Sequence, residues 1–321
     1  MPQTITEKVV QAHAEGLESG YEVHAGDMVT VRPFHVMTHD NTGAVLPKFR
    51  TIGAERVADP SQPVFTLDHN VQDTSEENLA KYRRIEEFAN SQGIAFFPAG
   101  AGIGHQLMVE QGFVHPGGLV VASDSHSNMY GALGAVGTPV VRTDAAALWA
   151  GAVTWWLVPR TVKVVLEGRL QPGVTGKDVI ITLCGVYNSG EVLNAAIEFH
   201  GPGVAGLSMS ERLTISNMTT EWGALVGWFP FDEITAEYLR ERAAVLEQNG
   251  VTDRLTEEMI TGWEEHAPVP DADASYAAEI TIDLARVSPH VAGPHGVGIM
   301  RSAADMAEDR VTVHKAYLLS C

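Results

Sequence analysis

The sequence predicts an α/β fold with mainly parallel sheets covered by helices. Short apolar runs of strand length alternate with longer segments whose apolar residues recur at helical spacing, as in βαβ units. Two of the clearest strand-like runs are Leu119–Ala122 and Val162–Leu166. With 321 residues, 45% of them hydrophobic, the chain is long enough to bury about two domain cores.

The first half of the chain alternates between predicted strands and helices. One helix has both ends marked, because the capping box Thr74-x-x-Glu77 begins it and Gly93 stops it. The predicted elements in chain order are a helix over 6–14, a strand over 28–32 that leads to His39, a helix that ends near Phe49, a strand over 63–67, the capped helix, strands over 94–97 and 119–122, and a helix from Thr143 to Trp156 that Pro159 ends.

The second half begins with the strand over 162–166, after which the composition shifts. The capping box Ser208-x-x-Glu211 begins a helix that carries Asn217 and Glu221. A third unit begins at the strand over 278–284. We expect the chain to be a fragment, because the roughly forty residues of this unit hardly enclose a core of their own. The other predicted elements are a helix near 177–183, a strand near 195–199, a charged, helical and solvent-facing stretch over 235–263, a linker over 267–274, a strand over 278–284 and a strand-like run over 316–320.

Charge and cysteine content exclude several classes of protein. The formal net charge is −19, whereas nucleic acids and anionic membranes bind positive surfaces, so we expect neither partner. Two cysteines form no disulfide framework, and no segment has the apolar length of a membrane span. The first residues lack the features of a targeting peptide. We therefore expect a cytoplasmic protein, or a mitochondrial matrix protein if a presequence has been removed.

Acidic and imidazole side chains recur where the predicted strands end. A carboxylate beside an imidazole fixes its tautomer and raises its basicity, which proton transfer needs. One such pair alone is more often a loop Asp that caps a turn beside a solvated His. The carboxyl ends of parallel strands meet at one edge of a sheet, so the recurrence predicts a single cleft. The residues concerned are His39 and Asp40, Asp68 and His69, His105, and Asp124 and His126.

Three further residues have two interpretations each. Asn217 and Glu221 lie four residues apart and share one helix face, which points into the site or forms a solvated polar stripe. Cys184 lies in the apolar run 180–185 and is expected in the core rather than in a site.

Seven segments, taken together and in order, resemble the aconitase superfamily, most closely its homoaconitase branch. The likeness runs along nearly the whole chain, and the order of the segments makes it specific. The segments are VMTHDNTG at 36–43, FTLDHN at 65–70, GIGHQ at 102–106, ASDSHS at 122–127, VRTD at 141–144, TISNMTTEWG at 214–223 and KAYLLSC at 315–321.

The resemblance implies three-layer α/β/α domains of the aconitase type, a first over 1–160, a second over 161–277 and the start of a third over 278–321. It implies a hydro-lyase or isomerase that reversibly dehydrates a small hydroxy tri- or dicarboxylate, most closely in homoaconitate chemistry. It also implies a [4Fe-4S] cluster with one iron acting as a Lewis acid. Cys321 matches the first of three cysteine ligands, and the other two would lie beyond the chain.

The resemblance assigns roles to individual residues. The family's serine base and most of its substrate-binding arginines match nothing here, so later domains or a separate small subunit would supply them. The chain alone is therefore expected to be inactive and to lack a stable cluster. The matches are Asp68 and His69 with the pair that protonates the departing hydroxyl, His105, Asp124 and His126 with residues around the iron-bound water, His39 and Ser125 with substrate-binding residues, and Asn217 and Glu221 with residues near the cluster and its water.

Other functions remain alternatives at this point. Within the family these are a 3-isopropylmalate dehydratase-type large subunit and an aconitase, whereas the negative charge disfavours an RNA-binding regulator. A metal-dependent hydrolase is the alternative of another class, although the chain has no close His-x-His or His-Glu-x-x-His pair. Its ligands would come from His39, His69, His105 and His126 with Asp40, Asp68 and Asp124.

Overall fold

The computed structural model describes residues 1–317. The helices are α1 Ile5–His13, α2 Thr42–Thr51, α3 Glu76–Gln92, α4 Gly104–Glu110, α5 Arg142–Gly151, α6 Gly176–Val186, α7 Met209–Trp222, α8 Glu233–Gln248, α9 Glu257–His266 and α10 Ala303–Asp309. The strands are β1 Ala14–Glu15, β2 Met28–Val31, β3 His35–Thr38, β4 Pro63–Thr66, β5 Ala95–Phe97, β6 Leu119–Ala122, β7 Val136–Pro139, β8 Thr154–Leu157, β9 Thr161–Glu167, β10 Ala196–His200, β11 Val226–Trp228, β12 Ala278–Asp283, β13 His290–Ala292 and β14 Met300–Ser302.

The first sheet is parallel throughout and has the order β5-β4-β3-β6-β7. On one face, Phe65 and Val121 pack against Phe49 of α2 and Trp149 of α5. On the other face, Val120 packs in a core with side chains of α4, α8 and α9. Both faces of the strands are therefore buried, as predicted for a parallel sheet covered by helices, and the arrangement is the three-layer α/β/α one that the resemblance implies.

The second sheet is also parallel, with the order β11-β10-β9-β12. Val164 and Phe199 pack against helices α6 and α7, where Cys184 lies in the core as expected. On the opposite face, Trp228 shares a core with Ile5 of α1 and Val136 of the first sheet. The two sheets are thus joined by continuous apolar packing, and the predicted division near residue 160 stays a prediction.

A three-stranded antiparallel sheet, β1-β2-β8, corrects two sequence predictions. Met28–Val31 pairs with Thr154–Leu157 and does not lead to His39, which instead follows β3. The helix predicted as far as Trp156 ends at Gly151, because Ala152 adopts a left-handed conformation with φ of 60°. The following residues, rich in aromatic and β-branched side chains, form a strand.

Three further predictions need correction. The strand at Ala278–Asp283 was expected to open a third domain, but it pairs with β9 and forms the edge of the second sheet. The stretch 235–263 is not simply solvent-facing, since Leu239 and Ile260 are buried in the core of the first sheet. The residue that caps α3 is Ser75 rather than Thr74, whereas the capping box of Ser208 and Glu211 is confirmed.

Ala316 and Tyr317 belong to no strand, and the rest of the strand-like run 316–320, together with Cys321, lies outside the described residues. Within residues 1–317, no helix combines the length and the apolar character needed to cross a membrane.

Candidate active site

The predicted cleft lies at the carboxyl edge of the first sheet. Strands β3 and β6 end immediately before His39 and Ser123, β4 ends two residues before Asp68, and β5 leads to α4, whose second residue is His105. These strands are parallel neighbours, so their carboxyl ends lie side by side. The topology therefore places four separate chain segments around one site.

Asp124 is the hub of this site, because four imidazoles surround its carboxylate. Its Oδ1 lies 2.7 Å from Nε2 of His105 and 3.8 Å from Nδ1 of His126. Its Oδ2 lies 3.3 Å from Nε2 of His69 and 3.6 Å from Nε2 of His39. Burial alone would raise the pKa of Asp124, but hydrogen bonds from the imidazoles outweigh burial and hold that pKa far below its usual range. Asp124 is therefore a permanent anion in the site.

His69 lies between two carboxylates. Its Nε2 faces Asp124, and its Nδ1 is 2.6 Å from Oδ1 of Asp68. Hydrogen bonds to Asp124 and Asp68 raise the pKa of His69 to about 10. The ring stacks on His39 with 3.8 Å between centroids, and burial together with the charge of His69 lowers the pKa of His39. At neutral pH the stacked pair thus combines a protonated His69 with a neutral His39.

Asp40 holds the loop that carries this pair. Its Oδ2 accepts hydrogen bonds from the backbone N–H of Asp68 at 2.9 Å and of His69 at 2.8 Å. Its Oδ1 accepts from the N–H of Asn70 at 3.2 Å and from the hydroxyl of Tyr82 on α3. Both oxygens are therefore occupied within the fold. The role of Asp40 as a loop anchor was not predicted, although its position directly after His39 was a signal.

Gly104 brings helix α4 close to Asp68. The N–H of Gly104 donates to Oδ2 of Asp68 at 2.5 Å. A Cβ at this position would lie 2.5 Å from Oγ1 of Thr66, closer than real Cβ atoms approach. The glycine thus allows the backbone to approach Oδ2 of Asp68 closely. The other oxygen of Asp68, Oδ1, faces His69.

His105 is buried and has a partner on each ring nitrogen. Nε2 faces Asp124, and Nδ1 lies 2.9 Å from the hydroxyl of Tyr130. Tyr130 is fully buried, and burial raises its pKa well above 10, so the phenol keeps its proton. Nδ1 of His105 is the one hydrogen-bond partner of this hydroxyl among residues 1–317, so the phenol is assigned as the donor. His105 is consequently assigned as the neutral tautomer with its proton on Nε2. Tyr130 is a site residue that the sequence motifs did not identify.

Helix α7 closes one side of the site. Nε2 of His126 lies 3.2 Å from Oε1 of Glu221, and Oγ1 of Thr220 donates to the backbone oxygen of Ser125 at 2.7 Å. Asp124 and then Glu221 raise the pKa of His126. Asn217 lies one turn before Glu221 and is half-buried, but no hydrogen bond within residues 1–317 joins it to this group. Glu221 therefore contacts the imidazole cluster, whereas the expectation that Asn217 points into the same site stays a prediction.

Imidazole and carboxylate are the donors that the site offers to a metal. His39, Asp40, Asp68 and His69 have ligand atoms within 4.8 Å of one another. Both oxygens of Asp40 already accept hydrogen bonds from the fold, so the clustering of these four residues requires no metal. An iron–sulfur cubane needs thiolates, and burial raises the pKa of the Cys184 thiol to about 12 within the second core. The described residues therefore supply no thiolate to anchor such a cluster, and their part is to border it.

Comparison with known proteins identifies the family of the chain. The family model described as the aconitase family (aconitate hydratase) matches residues 7–317. The chain is 54% identical to the mitochondrial homoaconitase of Eremothecium gossypii over 321 residues, which is 99% of this chain and 46% of that protein. It is 53% identical to the mitochondrial homoaconitase of Yarrowia lipolytica, over 100% of this chain and 46% of that protein. It is 50% identical to the mitochondrial homoaconitase of Neurospora crassa, over 100% of this chain and 42% of that protein.

The chain thus spans a little less than half the length of these curated relatives. Since the family model covers nearly every residue from the first helix to the last described segment, the chain belongs to the aconitase family.

Proposed function

We propose that the complete protein is a homoaconitase-type hydro-lyase, which reversibly adds water to cis-homoaconitate to give homoisocitrate. The observation that carries this proposal is His69, a protonated imidazole held between Asp68 and Asp124 in an open cleft. The identity of 50–54% to mitochondrial homoaconitases supports the choice of substrate.

In the proposed reaction His69 is the general acid. It gives its proton to the departing hydroxyl, so that the C–O bond breaks with release of water, and in hydration it takes a proton back from water. Asp68 keeps the imidazole oriented and Asp124 keeps it charged. The base that removes the proton from the neighbouring carbon lies outside residues 1–317.

The remaining residues bind and orient in this proposal. The hydroxyl of Ser125 and the neutral ring of His39 contact the substrate, and His105 with His126 and Glu221 hold the water that is added or released. Asn217 borders the same region on α7. A [4Fe-4S] cluster, which the family resemblance implies, supplies Lewis acidity when bound, and its thiolates would come from outside the described residues.

The cellular location and the partners belong to the same proposal. The relatives' names include the word mitochondrial, so we favour the mitochondrial matrix over the cytoplasm for this protein. Its partners would be a small tri- or dicarboxylate and the remaining domains, fused as in the longer relatives or present as a small subunit. A 3-isopropylmalate dehydratase-type subunit and an aconitase are the alternatives within the family.

The decisive experiment compares substrates. The full-length protein, reconstituted anaerobically with iron and sulfide, is assayed with cis-homoaconitate, cis-aconitate and isopropylmalate. We expect kcat/KM to be highest for cis-homoaconitate. A clear preference for either other substrate contradicts the proposal and selects the corresponding alternative.

The hydrolase alternative is supported by the clustering of His39, Asp40, Asp68 and His69. It is weakened because Asp40 already accepts four hydrogen bonds from the fold. Elemental analysis of the full-length protein separates the two functions, since a hydrolase contains zinc or a similar divalent ion and no sulfide.

A further inference from the structure

A second set of polar residues borders the candidate active site. A cavity of about 790 Å³ opens beside the imidazole cluster and is lined by His39 and Ser125 on one side. Its other walls come from α2, the first turn of α5 and strand β8. This space is continuous with the site but contains residues to which no role has been given above.

Two of these wall residues are cations. Lys48 of α2 and Arg142 of α5 line the cavity, and neither has a carboxylate partner within 4.0 Å among residues 1–317. The acidic side chains of the same walls are already engaged. Asp124 is surrounded by imidazoles, and Asp144 accepts from the backbone N–H of Val141 at 3.4 Å. Asp144 keeps its negative charge, because a backbone N–H does not neutralise a carboxylate, but Lys48 and Arg142 are the cations of this wall that no carboxylate among the described residues pairs.

The rest of the wall is apolar. Trp155 and Trp156 of β8 line the cavity together with Val140 and Val141. Trp155 is 60% exposed and presents its indole to this cavity. A ligand that combines methylene groups with a terminal anion matches this combination of indole and cationic surfaces.

We propose that Lys48 and Arg142 form a carboxylate subsite, which binds the carboxylate on the substrate arm remote from the reacting carbons, while the exposed Trp155 contacts the methylenes of that arm. The inference rests on the proposed function, since it assigns part of that substrate's recognition to this chain. Arg142 presents a planar guanidinium suited to bidentate carboxylate binding, and Lys48 adds a second charge.

The test measures binding, so that it does not depend on turnover. Full-length protein is titrated with homocitrate, a hydroxy tricarboxylate with the same long arm as homoisocitrate, and with the homocitrate amide that lacks the charge on that arm. Tryptophan fluorescence and calorimetry report the binding. Charge-assisted hydrogen bonds predict that Arg142→Gln weakens homocitrate binding by roughly 10- to 100-fold and Lys48→Gln by roughly 3- to 10-fold. Binding of the amide should change by less than about twofold.

Arg50→Gln is the matched control, because Arg50 lies on the same helix as Lys48 but lines a different groove beside α3. Arg142→Lys should recover part of the lost affinity. Equal weakening by Arg142→Gln and Arg50→Gln, or equal binding of acid and amide by the unmodified protein, overturns the subsite.

The outcomes distinguish this inference from the proposed function. If the unmodified protein hydrates cis-homoaconitate but both cavity variants bind homocitrate normally, the subsite alone is contradicted. A protein that binds homocitrate through Arg142 but turns over none of the three substrates contradicts the proposed function alone.

Discussion

The hydroxyl of Tyr130 lies 2.9 Å from Nδ1 of His105, and both side chains are buried. This contact fixes the proton of His105 on Nε2, where it faces Asp124 at 2.7 Å. Tyr130 therefore acts on the site indirectly. It decides which nitrogen of His105 carries the proton, and through that proton it helps to keep Asp124 ionised beside His69.

Tyr130→Phe should remove this control. The unpaired Nδ1 of His105 then has no donor in a buried environment, which is expected to cost about 1–3 kcal/mol in the free energy of unfolding. Denaturant unfolding measures this loss, and ¹⁵N NMR of histidine-labelled protein reports the tautomer. The control is Tyr238→Phe, since the hydroxyl of half-buried Tyr238 makes no hydrogen bond within residues 1–317. Unchanged imidazole shifts for His105 in Tyr130→Phe would contradict the assignment.

Sequence and structure agree on the strand ends and differ on what supports them. The alternation of elements sufficed to place Asp68, His69 and Asp124 at one edge, because parallel strands leave no other arrangement. Asp40 and Tyr82 are 42 positions apart, and His105 and Tyr130 are 25 apart. Such contacts depend on how helices pack on the sheet, which hydrophobic periodicity does not encode.

The element errors have a similar origin. The run from Ala145 to Trp156 is almost continuously apolar, and periodicity alone does not divide a buried helix from a following strand. The division falls at Ala152, whose positive φ no residue type signalled in advance. Strand β3 was missed because His35–Thr38 has neither alternation nor a long apolar run.

Asp40→Asn should loosen the loop that carries His69. Asparagine replaces one acceptor oxygen by an amide nitrogen, whose N–H groups face backbone N–H donors and accept no hydrogen bond. At least one hydrogen bond to a charged acceptor is lost, which we expect to lower the free energy of unfolding by about 2–3 kcal/mol. Thermal and denaturant unfolding measure the change. Asp253→Asn is the control, because Asp253 is exposed and has no hydrogen-bond partner among the described residues. Equal stability of the two variants would show that Asp40 does not anchor the loop.

The raised pKa of His69 predicts a specific pH dependence of stability. The pKa is about 10 in the folded chain against an ordinary value of 6.5. A raised pKa stabilises the fold fully below pH 6.5, and this contribution disappears as the pH rises towards 10. Free energies of unfolding at pH 6 and pH 9.5 should therefore differ less in His69→Gln than in the unmodified chain. In contrast, the exposed His266, changed to Gln, should leave the difference intact.

His69→Ala tests the proposed general acid directly. In the full-length protein with its cofactor restored, we expect kcat for hydration to fall by roughly 10²- to 10⁴-fold, the usual contribution of an acid–base group. His266→Ala should have no effect, since this residue lies 81% exposed on α9. If the His69→Ala enzyme turns over normally, His69 has no part in proton transfer.

The 321-residue chain on its own should be inactive and should hold no stable [4Fe-4S] cluster. A cubane requires thiolate anchors on at least three irons, and the chain contains two cysteines in total. Of these, Cys184 is 2% exposed among the apolar side chains of α6 and α7, where burial raises the pKa of its thiol to about 12. It therefore offers no thiolate at neutral pH and no access to a cluster in the cleft. Anaerobic incubation with iron and sulfide, followed by iron and sulfide analysis, visible absorbance and a hydratase assay, checks this expectation, with the full-length protein as the positive control. A stoichiometric cluster with turnover in the short chain would mean that imidazole or carboxylate groups of the site take the place of thiolates, and His69 and Asp124 would then need a role as ligands.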